Sequence, residues 1–384
     1  MKSVQVKGNS KLMNPLLEPL SIGEREVLAE GSFKRNIAIE RKRSERSKEP
    51  FLLMLVEVAE NRDVQESHRV LDRMTAVLIS ASRDTDIVGW YREGETLGVM
   101  FTELLTSDKD MILTTIMGRV SALVRDQLAG DDFERVNLSF HFFPDEWDHS
   151  SPAGPANTTL YPDLMNPGSR KMSMLMVKRA LDLLISATVL LLLSPLYLAI
   201  AAAIKLTSKG PVLFRQQRVG QYGKLFTVLK FRSMKADSDH GVHKDYVMKL
   251  IKNQAERKAA DGSSEGVFKL TADDRITPIG RLLRRTSLDE LPQIFNVLTG
   301  EMSLVGPRPP IPYELSAYET WHRRRILEAK PGITGLWQVM GRSSVKFDDM
   351  VRLDLRYATS WSLWMDMKIL LLTPLAVIKG AGAY

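Results

Sequence analysis

No cysteine occurs in the 384 residues, which excludes disulfides, thiolate nucleophiles and cysteine-ligated zinc. That absence fits a chain kept on the reducing, cytoplasmic side. Histidine is scarce too, and six scattered residues argue against a histidine-rich metal site. Met1 to Ser10 lacks the apolar core of a secretory signal, so neither cleavage nor export is expected. Long apolar runs are nearly missing. A composition 44% hydrophobic and 26% charged supports a folded core but not a polytopic transporter, so one apolar segment at most should meet a membrane.

Basic side chains outnumber acidic ones, 53 to 46, for a formal charge of +7. The excess favours polyanionic partners: nucleic acid, anionic lipid or phosphorylated small molecules. Charge alone does not choose among them. The length predicts two domains with linkers.

Residues 1–49 form a polar segment whose charge run, Arg41 to Glu49 before Pro50, reads as a linker or a solvated helix end. Residues 50–147 read as one α/β domain. Phe51 to Val58 is a continuous apolar run, which predicts a buried strand. Glu66 to Ser82 sets Val70, Met74, Val77, Leu78 and Ala81 at helical spacing. Asp86 to Phe101 predicts a hairpin around Arg92-Glu93-Gly94-Glu95, Met111 to Leu128 another helix, and Val136 to Phe143 a strand. The order strand, helix, hairpin, helix, strand describes a self-sufficient domain. Residues 148–170, rich in Pro, Gly, Ser and Asn, read as a linker.

Arg83-Asp84-Thr85-Asp86-Ile87-Val88-Gly89 and the hairpin after it resemble the GGDEF, or diguanylate cyclase, fold. Where that family has its namesake turn, this chain has Glu93-Gly94-Glu95-Thr96-Leu97, and the metal-binding Asp pair would fall on Glu57 and Ala59. The departure removes metal ligands, so the resemblance implies a regulatory or dimerising module rather than a cyclase. Binding of a cyclic dinucleotide there stays open.

Within residues 171–207, Ala180 to Ile204 is apolar with Asp182 its only charge, and it is long enough to cross a bilayer. Ser194-Pro195 near its middle predicts a break, because proline removes a backbone donor and clashes with the turn before it. The Ser194 hydroxyl is at hand for a freed carbonyl. Both flanks are basic: Lys171, Lys178 and Arg179 before, Lys205, Lys209, Arg215 and Arg218 after. Positive charge at both ends fits a re-entrant helix better than a span, a kinked transmembrane helix being the alternative.

Residues 208–384 carry the candidate chemistry. Val212 to Val219 and Leu225 to Met234 predict two strands around Gly220 to Gly223, with Lys230 and Arg232 on one face of the second. Two cations there could hold phosphate oxygens; a solvated strand face explains them as well. Asp239 to Glu265 reads as a partly helical surface insertion. Further on, Asp289-Glu290 sits among Arg275, Arg281, Arg284 and Arg285. Ser287-Leu288-Asp289-Glu290 fits a capping box, whereas Pro292 suggests a helix beginning there, with both carboxylates just outside its N-terminus. In that place the helix dipole and the arginines would keep them ionised. Ser303 to Pro310 predicts a rigid turn presenting Arg308, whose proline-fixed backbone limits the entropy lost when a guanidinium grips phosphate.

From Lys178 to Tyr384 the sequence resembles the bacterial sugar transferases, also called monotopic phosphoglycosyl transferases or polyprenyl-phosphate hexose-1-phosphate transferases. The matching stretches are Lys230 to Met234, Thr286 to Gln293, Gly300 to Pro309, Lys330 to Val339 and Asp354 to Lys368. The fold expected is α+β: a GGDEF-like domain, a re-entrant membrane helix broken at Ser194-Pro195, then a mostly helical catalytic domain with a small β-hairpin. The resemblance implies that Asp289 attacks a UDP-sugar and expels UMP, and that undecaprenyl phosphate then takes the sugar phosphate. It also implies Mg²⁺ held by Glu290 and Asp289, and substrate contacts from Lys230, Arg232, Arg281, Arg284, Gln293 and Arg308. The expected place is the cytoplasmic face of the bacterial inner membrane, in contact with its lipid. The expected role is initiating exopolysaccharide, capsule, O-antigen or glycoconjugate assembly, with no nucleic acid involved.

Trp361 and Trp364 suit an interfacial belt or the core equally, and Pro374 interrupts the apolar run Ile369 to Ile378, which is too short to span. Arg323-Arg324-Arg325 reads as a solvated or lipid-facing patch without a catalytic role. Two other readings stand beside the enzyme: a membrane-bound module responsive to a cyclic dinucleotide, and an inactive scaffold of a polysaccharide assembly complex. A homodimer through the appended domain is open, and no residue identifies the sugar.

Overall fold

The structure, a computed structural model, describes residues 27–58, 64–104, 108–127, 135–144, 157–165, 169–235, 241–252, 254, 275–341 and 345–378. Ala59, Asp273-Asp274 and most of the expected 148–170 linker and 239–265 insertion lie outside them.

The expected N-terminal pattern is present: β1 (Phe51–Val58), α2 (Val64–Ala81), β2 (Ile87–Arg92), β3 (Thr96–Phe101), α3 (Lys109–Gln127) and β4 (Val136–Phe143). The four strands form an antiparallel sheet in the order β2-β3-β1-β4. β1 is apolar from Phe51 to Val56 because both its faces are covered there, and Glu57 near its end is exposed. Leu52, Met54 and Val56 pack with Val70, Met74, Val77 and Ile116 of the two helices, while Phe51, Leu53 and Leu55 join a second cluster on the other face.

That second cluster corrects two expectations. The polar N-terminal segment contains α1 (Glu30–Ser47), an 18-residue helix, whose charge run is a mostly exposed helix end, as one of the two readings had it, with Arg41 the exception. Arg41 is 2% exposed, donating to Leu160 O at 3.0 Å and forming a fork with both Asp163 oxygens at 2.9 and 3.0 Å. Asp163 opens a short helix, α4 (Pro162–Met165), so the tail of the expected linker is an ordered clasp, with Leu160 and Tyr161 buried beside it. Sequence pattern missed this because a buried arginine is indistinguishable from an exposed one until its carboxylate partner, 122 residues away, is placed.

Nor is the domain self-sufficient. The cluster holding Phe33, Ile37 and Phe51 runs on without a break into Tyr318, Ile326, Leu327, Phe347 and Val351 of the C-terminal half. Phe33 lies over the cross-strand pair Gly89 and Gly98, where a Cβ on either glycine would come within 2.6 Å of its ring. Phe33→Ala should therefore empty a fully buried slot and cost about 3–5 kcal/mol. The check is a denaturant unfolding series in detergent, in which an unchanged midpoint would contradict the packing.

Helices α5 (Ser169–Leu192) and α6 (Ser194–Thr207) follow, meeting at a 61° bend at the expected Ser194-Pro195 break. Ser194 Oγ donates to Leu191 O at 2.8 Å, as the freed backbone requires. Among the described residues no single helix is long and apolar enough to cross a membrane, and this bent pair is the one that passes together. Lys178 and Arg179, read above as lipid-side flanking charge, are spent inside the protein. Lys178 Nζ reaches Asp366 Oδ2 at 2.6 Å and Val305 O at 3.2 Å. Arg179 donates to Val297 O and Leu298 O at 2.6 and 3.0 Å. Asp182 accepts from Ser303 Oγ at 2.8 Å and Leu304 N at 3.2 Å. Buried charge of this kind is satisfied by hydrogen bonds, and here it rivets α5 to the C-terminal half.

The rest comprises the antiparallel hairpin β5 (Leu213–Val219) and β6 (Leu225–Phe231), then α7 (Gly241–Ile251), α8 (Pro278–Arg285) and α9 (Gln293–Thr299). After these come β7 (Ser303–Val305), α10 (Thr320–Glu328), β8 (Gly332–Thr334), α11 (Leu336–Met340), α12 (Phe347–Ser360) and α13 (Leu363–Ile378). β7 and β8 form a parallel pair that the sequence did not suggest. Their approach explains Gly306 and Gly332: a Cβ on Gly306 would sit 2.2 Å from Lys330 O, and one on Gly332 would sit 2.0 Å from Gly306 N.

The C-terminal helix differs from expectation as well. α13 runs unbroken through Pro374, the proline leaving the Leu370 carbonyl without its helical donor. The two tryptophans divide: Trp361 donates to Asp366 Oδ2 at 3.0 Å, whereas Trp364 is 65% exposed.

Candidate active site

The hairpin β5–β6 supplies Lys230, whose Nζ lies 2.7 Å from Glu290 Oε1. Asp289 and Glu290 occupy a 3₁₀ turn, Leu288–Glu290, immediately before α9. Ser287 makes no capping bond and sits at φ 55°, a left-handed conformation costing a non-glycine residue about 1–3 kcal/mol. The capping-box reading of Glu290 is thereby overturned: the chain turns sharply at Ser287, so the Glu290 carboxylate faces the cations of the hairpin instead of Ser287 N–H. α9 starts at Gln293 with Pro292 as its N-cap, one residue later than expected.

Lys230, Glu290, Gln293 and Arg308 line one cleft with Arg218, Gly332, Ile333 and Gln338. Arg308 approaches the same Glu290 oxygen at 3.8 Å. Glu290 Oε2 accepts no hydrogen bond among the described residues. Of the other expected contacts, Arg284 acts on Asp289 electrostatically, and Arg281 stands exposed on α8. Arg232 is buried at 5% exposure against Ser208, donating to its carbonyl and hydroxyl at 2.9 and 2.8 Å. Lys230 and Arg232 do not share a strand face as expected, since β6 ends at Phe231, and only Lys230 reaches the carboxylates.

The two carboxylates are driven apart in acidity. Burial pushes Asp289 up to about 6, opposed by Lys230, with the charge of Glu290 adding to the rise. Burial acts the same way on Glu290, but Lys230, Arg308 and Arg218 outweigh it and hold Glu290 down at about 2. Burial in turn lowers Lys230, against the pull of Glu290. The two neighbours thus differ in direction: burial favours the neutral form of Asp289, while the cations favour the charged form of Glu290.

Two residues here escaped the sequence reading. Arg218, taken as flanking charge, is 6% exposed and hydrogen-bonded to Gln216 Oε1 and Pro309 O. Arg325, taken as part of a solvated patch, is 3% exposed and paired with Asp354 at 3.2 Å. A signal existed for Arg325, which stands four residues after the apolar Trp321 and next to Ile326 on a helical period.

The site reaches the bent helix pair directly. Tyr197, on α6 two residues past the break, donates its hydroxyl to Leu291 O at 2.7 Å and packs on Phe231 and Phe295. Glu290 thus faces Lys230, Arg218 and Arg308 across the cleft, Asp289 lies buried beside it outside the cleft lining, and the turn that carries both is tied to the bent helix pair through Tyr197.

Residues 173–380 match the family model described as bacterial sugar transferase, and the chain belongs to that family. It is 44% identical over 214 residues to the undecaprenyl-phosphate galactose phosphotransferase of Salmonella typhimurium, covering 56% of this chain and 43% of that one. It is 41% identical over 216 residues to the UDP-glucose:undecaprenyl-phosphate glucose-1-phosphate transferase of Escherichia coli strain K12, covering 54% and 42%. The exopolysaccharide production protein ExoY of Rhizobium meliloti is 39% identical over 211 residues, 54% of this chain and 88% of that one. The chain thus spans less than half the length of the first two relatives.

Proposed function

We propose that this protein transfers a sugar 1-phosphate from a UDP-sugar to undecaprenyl phosphate at the cytoplasmic face of a bacterial inner membrane, as the first step of polysaccharide assembly. The observation that carries this is the Asp289-Glu290 pair, with Glu290 bonded to Lys230 at 2.7 Å and approached by Arg308 at 3.8 Å, on a turn tied to the bent apolar hairpin through Tyr197. The relatives' names supply the substrate classes.

In the first step an Asp289 oxygen attacks the sugar-bearing phosphorus, the bond to the bridging oxygen breaks, and UMP leaves with that electron pair. An oxygen of the lipid phosphate then attacks the same phosphorus and frees the Asp289 carboxylate. Lys230, Arg218 and Arg308 offset charge on the transferring phosphoryl group, and the short Lys230–Glu290 contact fixes where that group can lie. The donor set suits Mg²⁺, which binds through one or two carboxylates together with substrate phosphates. Glu290 stays ionised and presents Oε2, with Asp289 beside it; the metal would neutralise the diphosphate. Arg281 and Arg284 are assigned to the rim, where they attract anions, whereas Arg232, buried against Ser208, is assigned a structural role.

A re-entrant hairpin supports the meeting of a soluble and a lipid substrate on one side. Leu184, Leu191, Leu192 and Leu198 are all at least 65% exposed, and so is Leu371 on α13, an apolar surface in keeping with lipid contact. The N-terminal domain, sharing its core with the catalytic half, is assigned a bracing and regulatory role.

The test is UMP release, screened across UDP-sugars with undecaprenyl phosphate in nanodiscs; no release from any donor would refute the reading. With UDP-sugar alone, the first step should show an acid limb. A nucleophile near 6 must be deprotonated, so the rate should rise with pH through that region and fall about tenfold per unit below it. Measuring without lipid avoids the acceptor phosphate, whose second proton leaves at about the same pH. A rate flat from pH 5 to 8 would remove Asp289 from that role.

A further inference from the structure

The segment Pro307-Arg308-Pro309-Pro310 has one backbone N–H among four residues, because proline has none. It is held instead through its carbonyls, all four of which accept. Pro307 O takes Gly332 N at 2.9 Å and Pro310 O takes Val219 N at 2.9 Å. The two between are taken by arginines: Arg308 O by Arg325 Nη2 at 2.6 Å and Pro309 O by Arg218 Nη1 at 2.8 Å.

The two arginines stand on opposite sides of the segment's role. Arg218 lines the cleft with Lys230 and Glu290. Arg325 lines only the small cavity behind the segment, with Ile326, Ala329 and Pro331. Its charge is met by Asp354, 1% exposed on α12. A buried ion pair is weak evidence of stability and stronger evidence of a geometry being specified. The geometry specified here is the backbone that aims Arg308 at Glu290.

We propose that Arg325, oriented by Asp354, is a positioning residue that sets the Arg308 guanidinium for the substrate diphosphate. This rests on the reading of Arg308 as a phosphate ligand. Arg325 acts through the Arg308 carbonyl and touches no substrate. Its removal should therefore weaken binding of the UDP-sugar, and only in a protein that still has Arg308.

The experiment measures kcat and KM for UMP release in Arg325→Lys, Arg308→Ala and the double variant. Lysine keeps a charge beside Asp354 but cannot place one nitrogen near Asp354 and another on the Arg308 carbonyl, as Arg325 does. Arg325→Lys should raise KM about tenfold or more, the worth of one charge-assisted hydrogen bond, with kcat changed less. The double variant should be no worse than Arg308→Ala alone, within about twofold. Wild-type kinetics in Arg325→Lys, or losses that multiply in the double variant, would overturn the proposal while leaving the role of Arg308 intact. Full activity of Arg308→Ala would overturn the underlying reading and the proposal with it. Should Arg325→Lys fail to fold, Arg325→Met with Asp354→Leu removes the donor without stranding a charge, and the same cycle with Arg308→Ala decides.

Discussion

Asp289→Asn should abolish UMP release, by at least about 10⁴-fold, the scale on which enzymes respond to loss of a covalent nucleophile. No phosphosugar adduct should form on the protein. The amide has the shape of the carboxylate but not its charge, so binding of the UDP-sugar should survive. Stability should move the other way. The Asp289 carboxyl is raised by burial to about 6, so its neutral form suits the fold. Its contribution is fully present below the unfolded value near 4 and is lost as pH rises through 6. At pH 8 the buried charge is a cost, which Asn relieves, and the variant should unfold about 1–3 kcal/mol later than the parent. Activity is read by UMP release and stability by denaturant unfolding. Retained turnover would sink the covalent mechanism.

Glu290→Gln should lower kcat about 10²–10³-fold, the usual cost of losing one electrostatic element of a transition-state site. Its stability change should have the opposite sign. Glu290 is held at about 2, with Lys230 and Arg308 outweighing the effect of burial, so its charged form suits the fold and that contribution persists down to strongly acid pH. Gln leaves Lys230, 16% exposed, without its counterion, and a loss of about 1–3 kcal/mol is expected. The pair is thus distinguished by two measurements on two variants: both lose turnover, while only Glu290→Gln loses stability. Equal stability changes in both would contradict the division of acidity between them.

Much of the frame was legible in sequence. Phe51–Val58 and Val136–Phe143 were bounded to the residue, since a mostly apolar run and a period-2 run have few alternatives. Ser194-Pro195 marked the 61° bend because proline's missing N–H acts locally. Lys230, Glu290, Gln293 and Arg308 were named together and share one cleft. What failed was the reading of charge. Arg41, Arg218, Arg325, Lys178 and Arg179 were each taken as solvated or lipid-side, and each is engaged within the protein.

The division has a physical cause. Chain-local rules, which are strand period, helix period, proline geometry and the adjacency of Asp289 and Glu290, belong to the sequence, and it determined the elements of residues 51–143, the break at Ser194-Pro195 and the acidic pair by itself, but not α1, α4 or the β7–β8 pair. A buried cation is defined by a partner far along the chain: Asp163 for Arg41, Asp366 for Lys178, the Arg308 carbonyl for Arg325. Desolvation likewise depends on what packs above a group. Only the tertiary structure could therefore decide that Asp289 is pushed up while its neighbour Glu290 is held down, since identical chemistry in adjacent positions diverges only when burial and counter-charge fall on the two unequally.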